Sequence, residues 1–218
     1  MTKKHDTKGE APATQSPTKE RIIDAAVDLF SKKGFEAVTM NEIADEVGIK
    51  KASIYFHFNG KEEIMDQIFE YFQHVIVSKG ARGGNTVDAA LDSIGLEGMM
   101  NASSAFFEES TCNLKLQKIW RIIVMELPRN RHIHDYYVKN NWDSPLAIWE
   151  QVFRRAMEKK LIKPGDPKFL AQEFFAFYGF AMFEQSMMKY DDVLSGNELP
   201  VRNNMRKHVQ FMLESLRL

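Results

Sequence analysis

Cysteine and long apolar runs are scarce in this sequence of 218 residues. Its one cysteine, Cys112, cannot form a disulfide within a single chain, which is usual for proteins of a reducing compartment. No apolar run approaches the ~18 residues needed to cross a bilayer, and the first residues lack the apolar centre of a secretory signal. We therefore expect a cytoplasmic protein that has no contact with a membrane.

The sequence patterns of several enzyme classes are also missing. We find no nucleophile elbow, P-loop, zinc signature or paired carboxylates beside a histidine. The Gly-rich segment 79–86 follows no strand and precedes no Gly-Lys-Ser/Thr, so we interpret it as a linker and not as a phosphate cradle. His132 and His134 are two residues apart, which does not place both on one helix face. We expect no catalytic residue, no metal site and no cofactor.

A strong overall charge is absent as well, since the net charge is −1. Binding to a polyanion would therefore depend on a local cluster of cations. Such a cluster lies between Lys50 and Lys61, where three lysines occur without any Asp or Glu and both flanks are acidic. Lysines together with the hydroxyl of Tyr55 favour contact with phosphate.

This cluster belongs to a stretch that predicts two short helices. Thr39 and Glu42 have the spacing of a capping box, so a helix should begin at about Met40. Gly48 suits the left-handed turn that ends this helix, and a second helix should run over residues 51–57. Two short helices joined at a glycine turn predict a helix-turn-helix, with an ordinary helical hairpin as the alternative.

The same stretch resembles the DNA-binding domain of the TetR family of one-component bacterial repressors. The family pattern is a helix ending in Phe-x-x-x-Gly-Phe/Tyr, a capping Thr, a mid-helix Ala, Gly-Val/Ile, and Tyr-x-x-Phe before Lys-Glu/Asp-Glu. Two residues depart from this pattern. Lys50 stands where the family often has a capping Ser or Thr, and Gly60 stands where it often has a capping Ser or Asn. The residues that match are Phe30, Gly34, Phe35, Thr39, Ala44, Gly48, Ile49, Tyr55, Phe58, Lys61, Glu62 and Glu63.

The resemblance and the side-chain chemistry together predict the residues that contact DNA. Thr39, Tyr55 and Lys61 are expected to hold phosphates, which position a protein without reading sequence. The other candidates are expected to face base edges, apart from His57, which contacts the backbone or packs. They are Lys50, Lys51, Ala52, Ser53 and Phe56.

Helical periodicity extends over the remainder of the chain and predicts an all-α protein. We expect a flexible tail at residues 1–17 and a three-helix DNA-binding domain at residues 18–62. A larger helical domain for ligand binding and dimerisation should cover residues 63–218.

Two segments of the larger domain have distinctive patterns. Segment 114–127 is apolar nearly all round and is interrupted by Arg121 and Glu126, which require either an ion pair or a ligand. Ser144-Pro145 combines a capping residue with a first-turn proline, so a helix should begin there.

The larger domain is rich in aromatic residues and methionine, which suit an adaptable apolar pocket. The resemblance implies that such a pocket binds a small apolar or amphipathic effector; a solid core is the alternative. The candidate ligand-binding residues are Trp120, Met125, Trp149, Phe153, Phe177 and Tyr178.

The last two long helices present more apolar surface than one chain could cover, so we expect a homodimer through these helices. A closed core within one chain is the alternative. The resulting hypothesis is a transcriptional repressor that binds a palindromic operator in double-stranded DNA and is released by an effector. A helical protein-interaction module without DNA binding remains the other interpretation of the same helices.

Overall fold

The structure is a computed structural model that describes residues 16–80, 86–196 and 201–218. All regular structure in these ranges is helical, which confirms the all-α prediction. Within the same ranges we find no helix with both the length and the apolarity of a membrane span. The expected tail lies outside the described residues except for its last two, as does most of segment 79–86. The helices are α1 (Pro17–Lys33), α2 (Met40–Val47), α3 (Lys51–His57), α4 (Lys61–Gly80), α5 (Val87–Cys112), α6 (Leu114–Glu126), α7 (Arg131–Tyr137), α8 (Ser144–Glu158), α9 (Pro167–Phe183), α10 (Tyr190–Leu194) and α11 (Val201–Leu216), with π-helical turns at Val138–Asp143 and Glu184–Met188.

The predicted capping box begins α2. The Thr39 hydroxyl accepts from the Glu42 N–H at 3.3 Å, and the Glu42 carboxylate accepts from the Thr39 N–H at 2.8 Å. Gly48 ends α2 with φ 73°, a left-handed conformation that glycine adopts without a Cβ penalty. The Ile49 N–H then donates to the Ala44 carbonyl at 3.0 Å. Local sequence signals therefore place both ends of this helix correctly.

The first hydrophobic core is shared by α1 to α4, α6 and α7. Phe30 of α1 and Ile54 of α3 are fully buried in it, together with Phe72 of α4 and Ile122 of α6. This core continues past residue 62, the boundary expected from the sequence. The helices α1 to α3, which we call the reading unit, are consequently buried against the helices that follow them.

Four polar contacts, at intervals of three to five residues along α6, also join α6 to α1 and to the loop that follows α1. We call these four contacts the α6–α1 ladder. Two are ion pairs, and two join a side chain to a backbone group. They are Lys115 Nζ to Asp24 Oδ1 at 2.5 Å, Lys118 Nζ to Asp28 Oδ1 at 2.5 Å, Arg121 Nε to the Ser31 carbonyl at 2.9 Å, and Glu126 Oε1 to the Phe35 N–H at 3.0 Å.

The second core lies among α5, α8, α9 and α11. Trp149 and Phe174 are close at its centre, with ring centroids 4.2 Å apart, and Phe153 and Tyr178 complete the aromatic group. Trp120 of α6 is half-buried and contacts both cores. The two cores therefore meet at α6.

Helix α8 begins at Ser144, as Ser144-Pro145 predicts, but no loop separates it from the preceding helical segment. A π-helical turn, Val138–Asp143, leads directly into α8 with helical backbone at Asp143. The Ser144 hydroxyl donates to the Lys139 carbonyl at 2.8 Å instead of capping. A wider turn accommodates Pro145 because the usual i to i−4 bond, which proline cannot donate, is already given up there.

Candidate DNA-binding surface

One side of α3 anchors the helix and the other side is exposed. Ile54 is fully buried in the first core, while Lys50, Lys51 and the two residues after them are exposed. No acidic residue occurs in α3. The exposed side of α3 therefore combines positive charge with accessible side chains, as a surface that meets phosphate requires.

Two aromatic side chains project from this surface. Tyr55 is 48% exposed, and Phe56 is 87% exposed, the most exposed phenylalanine among the described residues. The Phe56 ring meets the half-buried ring of His57 edge to face, with centroids 5.5 Å apart. Burial of this ring against another molecule would remove its apolar surface from water and would therefore favour binding.

Lys61 has a different environment from the lysines of α3. Its ammonium donates to the carbonyls of Phe35 and Glu36 at 3.0 and 3.2 Å and lies 4.4 Å from the centre of the Phe35 ring. A phosphate contact by Lys61 would therefore compete with its contacts to the α1–α2 loop. The structure brings the other DNA-contact candidates together along α3, with Thr39 at the start of α2.

The Glu42 carboxylate at the start of α2 is held ionised. Hydrogen bonds from Lys33 first, and then from Thr39, lower the pKa of Glu42 to about 2. Its charge is compensated by the Lys33 ammonium at 2.9 Å. The start of α2 is consequently fixed at neutral pH without adding an uncompensated negative charge beside α3.

The six ligand-binding candidates do not form one lining. Trp149, Phe153 and Tyr178 pack together in the second core, and Phe177 stacks on His208 with centroids 5.0 Å apart. The other two lie on α6, where Trp120 contacts both cores. Trp120 packs on Phe72 and Tyr137, and Met125 lies 3.7 Å from the position of a Cβ on Gly34.

Periodicity did not reveal several buried polar residues near these aromatic groups. Gln117 of α6 and Gln185 of the second π-helical turn are 1% and 2% exposed. The only sequence signal for Gln117 is a polar residue within an apolar helical run.

Among the described residues no three His, Cys, Asp or Glu side chains are grouped as a metal would require. His132, one of the two histidines considered in the sequence, contacts Asp66 at 2.7 Å.

Residues 22–68 match the sequence model of a family described as bacterial regulatory proteins, tetR family. This range covers α2, α3 and most of α1, and it carries the residues on which the resemblance was based. Residues 22–68 therefore carry a TetR-family DNA-binding domain. Its helices α2 and α3 are thus the helix-turn-helix of a TetR-type DNA-binding domain.

Curated relatives match this chain over its first part. The biofilm operon icaADBC HTH-type negative transcriptional regulator IcaR of Staphylococcus aureus is 40% identical over 75 residues, 33% of this chain and 40% of that protein. IcaR of Staphylococcus epidermidis is 47% identical over 58 residues, 25% of this chain and 31% of that protein. The matches thus span less than half the length of these relatives.

Solved structures extend the fold similarity to nearly the whole chain. SmeT, in a complex with triclosan, has a TM-score of 0.70 at 19% identity and covers 92% of both chains. The MbdR regulator from Azoarcus sp. CIB has a TM-score of 0.65 at 21% identity and covers 92% of this chain and 100% of that chain. These similarities confirm the predicted fold, a helix-turn-helix unit joined to a larger helical region.

Proposed function

We propose that this TetR-family protein is a transcriptional regulator that binds double-stranded DNA through α3. The observation that carries the proposal is the exposed side of α3, which has Lys50 and Lys51, no acid, and the protruding ring of Phe56. An α-helix fits the major groove, where each base pair presents a distinct pattern of donors, acceptors and methyl groups. The relatives named as negative regulators support repression as the direction of control, and a cytoplasmic location follows from contact with bacterial DNA.

We propose in addition that the regulator is a homodimer that binds a near-palindromic operator. Half-sites should lie about one helical turn of DNA, ~34 Å, or a multiple of it apart. A stripe of exposed apolar side chains on α9 and the turn after it supports the dimer, as does an exposed apolar residue of α11. These side chains are Phe169, Phe180, Phe183, Met187 and Phe211.

Selection of bound duplexes from a random pool tests the DNA-binding proposal. We expect a palindromic consensus whose binding weakens as salt rises, since phosphate contacts release counterions. The double variant Lys50→Ala, Lys51→Ala should weaken binding to the selected duplex more than binding to unrelated duplexes, because these two lysines are expected to face base edges. If the selection enriches no sequence and fluorescence anisotropy detects no affinity for any duplex, the protein-interaction module is supported instead.

The dimer proposal predicts the effect of a charge in the apolar stripe. Phe180 is 57% exposed, and Phe180→Asp should bury an unpaired carboxylate if a second chain covers it. We expect the dissociation constant of the dimer, measured by sedimentation equilibrium, to rise at least tenfold. Ile148→Asp is a matched control, since Ile148 is 54% exposed on α8 and should leave the dimer intact. Equal behaviour of the two variants would contradict an interface through α9.

We propose that a small apolar or amphipathic effector controls DNA release. Two features support this proposal: the contact of Trp120 with both cores, and the α6–α1 ladder. Together they connect the aromatic residues of the second core, through α6, to α1 of the reading unit. A coupling free energy of about 1 to 3 kcal/mol is typical of such control. A regulator, and not an enzyme, agrees with the functions named for the curated relatives.

A further inference from the structure

Polar side chains are concentrated where α6 meets the second π-helical turn. Arg121 is central: its Nη1 donates to the Ser186 carbonyl at 2.6 Å, and its guanidinium carbon lies 4.1 Å from the centre of the Tyr190 ring. Gln117 is one helical turn before Arg121 on the same side of α6, and Gln185 precedes Ser186. We call these five residues the α6–π cluster.

The α6–π cluster contains buried polar groups without hydrogen-bond partners. Neither amide atom of Gln117 has a partner, and the Gln185 amide nitrogen and the Ser186 and Tyr190 hydroxyls also lack one among the described residues. All four residues are more than nine-tenths buried. Buried polar groups are normally hydrogen-bonded, so several unpartnered groups in one place indicate a ligand or trapped water.

The charge of Arg121 selects between ligand classes. Its side chain donates to two neutral carbonyls, those of Ser31 and Ser186, and no carboxylate among the described residues forms an ion pair with it. The carboxylate of Glu184, on the same π-helical turn, is instead paired with Lys189 at 2.5 Å. The cluster therefore offers a partly buried cation that lacks a local counter-charge.

The unpartnered groups are mainly donors. Two amide nitrogens and two hydroxyls can donate, and the Gln117 amide oxygen is the one pure acceptor among them. A carboxylate accepts several hydrogen bonds and forms its strongest ones with charged donors such as guanidinium. The donor set thus suits an organic anion better than an amine or a hydrocarbon.

Two further features belong to the same place. The π-helical turn Glu184–Met188 is a rare geometry that is found frequently at functional sites. Trp120 contacts both cores, and it follows Gln117 by three residues on α6, a spacing at which two side chains are neighbours on the helix surface. A ligand with an anionic head and an apolar tail matches this juxtaposition.

We propose that the α6–π cluster binds the carboxylate of an amphipathic monocarboxylate effector, whose apolar tail lies against Trp120. This inference rests on the proposed function and names the chemical class of its effector. Arg121 also donates to the Ser31 carbonyl near the end of α1. A carboxylate that draws the guanidinium toward the π-helical turn weakens this contact in the α6–α1 ladder and changes how the reading unit is held.

Matched ligand pairs test the proposal on the full-length protein. Decanoate and 4-phenylbutyrate, at submicellar concentrations, are compared with decan-1-ol and 4-phenylbutan-1-ol, which have the same tails. We expect the acids to raise the melting temperature and to weaken affinity for the selected duplex at least tenfold, while the alcohols do neither. Acids that act no more strongly than the alcohols, or that have no effect, would overturn the proposal.

A variant of the cluster locates the effect. Gln117→Leu replaces an unpartnered buried amide by an apolar side chain of similar size, so it should fold, and it should bind the acids at least tenfold more weakly. Gln151→Leu, at an exposed position on α8, should retain full affinity. Ser186→Ala is a second variant with the same expected decrease in affinity.

The different failures are distinguishable. A Gln117→Leu protein that binds the acids as tightly as the parent would overturn the assignment to this cluster. If Gln117→Leu is more stable and the parent shows no acid-specific shift, the cluster holds only water and the proposal is wrong. A protein that binds the acids but no DNA would contradict the proposed function and not the carboxylate site, because melting temperature is measured without DNA.

Discussion

Replacing Phe56 with alanine is expected to weaken operator binding by about 10- to 150-fold. The ring is 87% exposed in the free protein, and burial of a phenylalanine side chain is worth about 1.5 to 3 kcal/mol, which corresponds to that range of affinity. In the major groove, the apolar group presented by base edges is the thymine methyl. We therefore expect Phe56 to pack on a thymine of each half-site.

Base analogues separate this contact from a general decrease in affinity. Exchange of single thymines in the selected operator for deoxyuridine removes only the methyl group, and one such position should weaken the parent protein but not the Phe56→Ala variant. Leu161→Ala, at an exposed leucine outside the helix-turn-helix, should leave affinity unchanged. Fluorescence anisotropy at constant salt measures each combination. A parent protein that is indifferent to every deoxyuridine exchange would contradict thymine contact by Phe56.

Gly34→Ala is expected to lower the free energy of unfolding by about 1 to 3 kcal/mol, the usual cost of a residue in a sparsely populated backbone conformation. Gly34 has φ 85° and ψ 158°, a combination that belongs almost solely to glycine. A Cβ at this position would lie 3.0 Å from Glu126 Oε1. That oxygen accepts from the Phe35 N–H, and Glu126 is 1% exposed, so its displacement would leave a buried carboxylate without its backbone donor.

Urea unfolding at a fixed protein concentration measures this effect, with Gly179→Ala as the matched control. A Cβ on Gly179, within α9, would meet no atom within 4 Å, and alanine in a helix is favoured over glycine by up to about 1 kcal/mol. The control should therefore be neutral or stabilising. Equal unfolding midpoints for Gly34→Ala and the parent would contradict both the backbone strain at this position and the conflict with Glu126.

Local sequence signals were sufficient for the helix-turn-helix. The capping box of Thr39 and Glu42 and the left-handed turn at Gly48 depend on residues close together in the chain. Such signals act through the backbone before any tertiary contact forms. At Ser144-Pro145 the same reasoning placed the start of α8 but not its connection, because a π-helical turn can carry a proline through a continuous helix and leaves no comparable pattern.

The aromatic residues of the second core show what helical periodicity leaves open about the ligand-binding candidates. Helical periodicity identifies which face of a helix is buried, but it does not identify the opposing residue. Trp149 and Tyr178 pack around Phe174, whereas Trp120 lies on Phe72 of the other core. Composition alone could not separate these two environments.

Glu126 illustrates the same difficulty for a polar residue. Its position in an apolar helix correctly indicated that its charge needs a partner. One partner is the backbone N–H of Phe35, 91 positions earlier in the chain. Every non-proline residue carries such a donor, so no sequence pattern distinguishes the one that is used.

The α6–α1 ladder has a consequence for engineered chimeras between TetR-family proteins. Two of its rungs, Lys115 to Asp24 and Lys118 to Asp28, depend on matched side chains on both helices. If the reading unit of another protein replaced α1 to α3, different side chains would lie opposite Lys115 and Lys118. The Glu126 carboxylate would also face a different loop after α1. Hybrids in which α1 and α6 are exchanged as a pair should keep these ion pairs and the melting temperature of the parent, whereas exchange at the helix-turn-helix boundary alone should lose both ion pairs and lower the melting temperature.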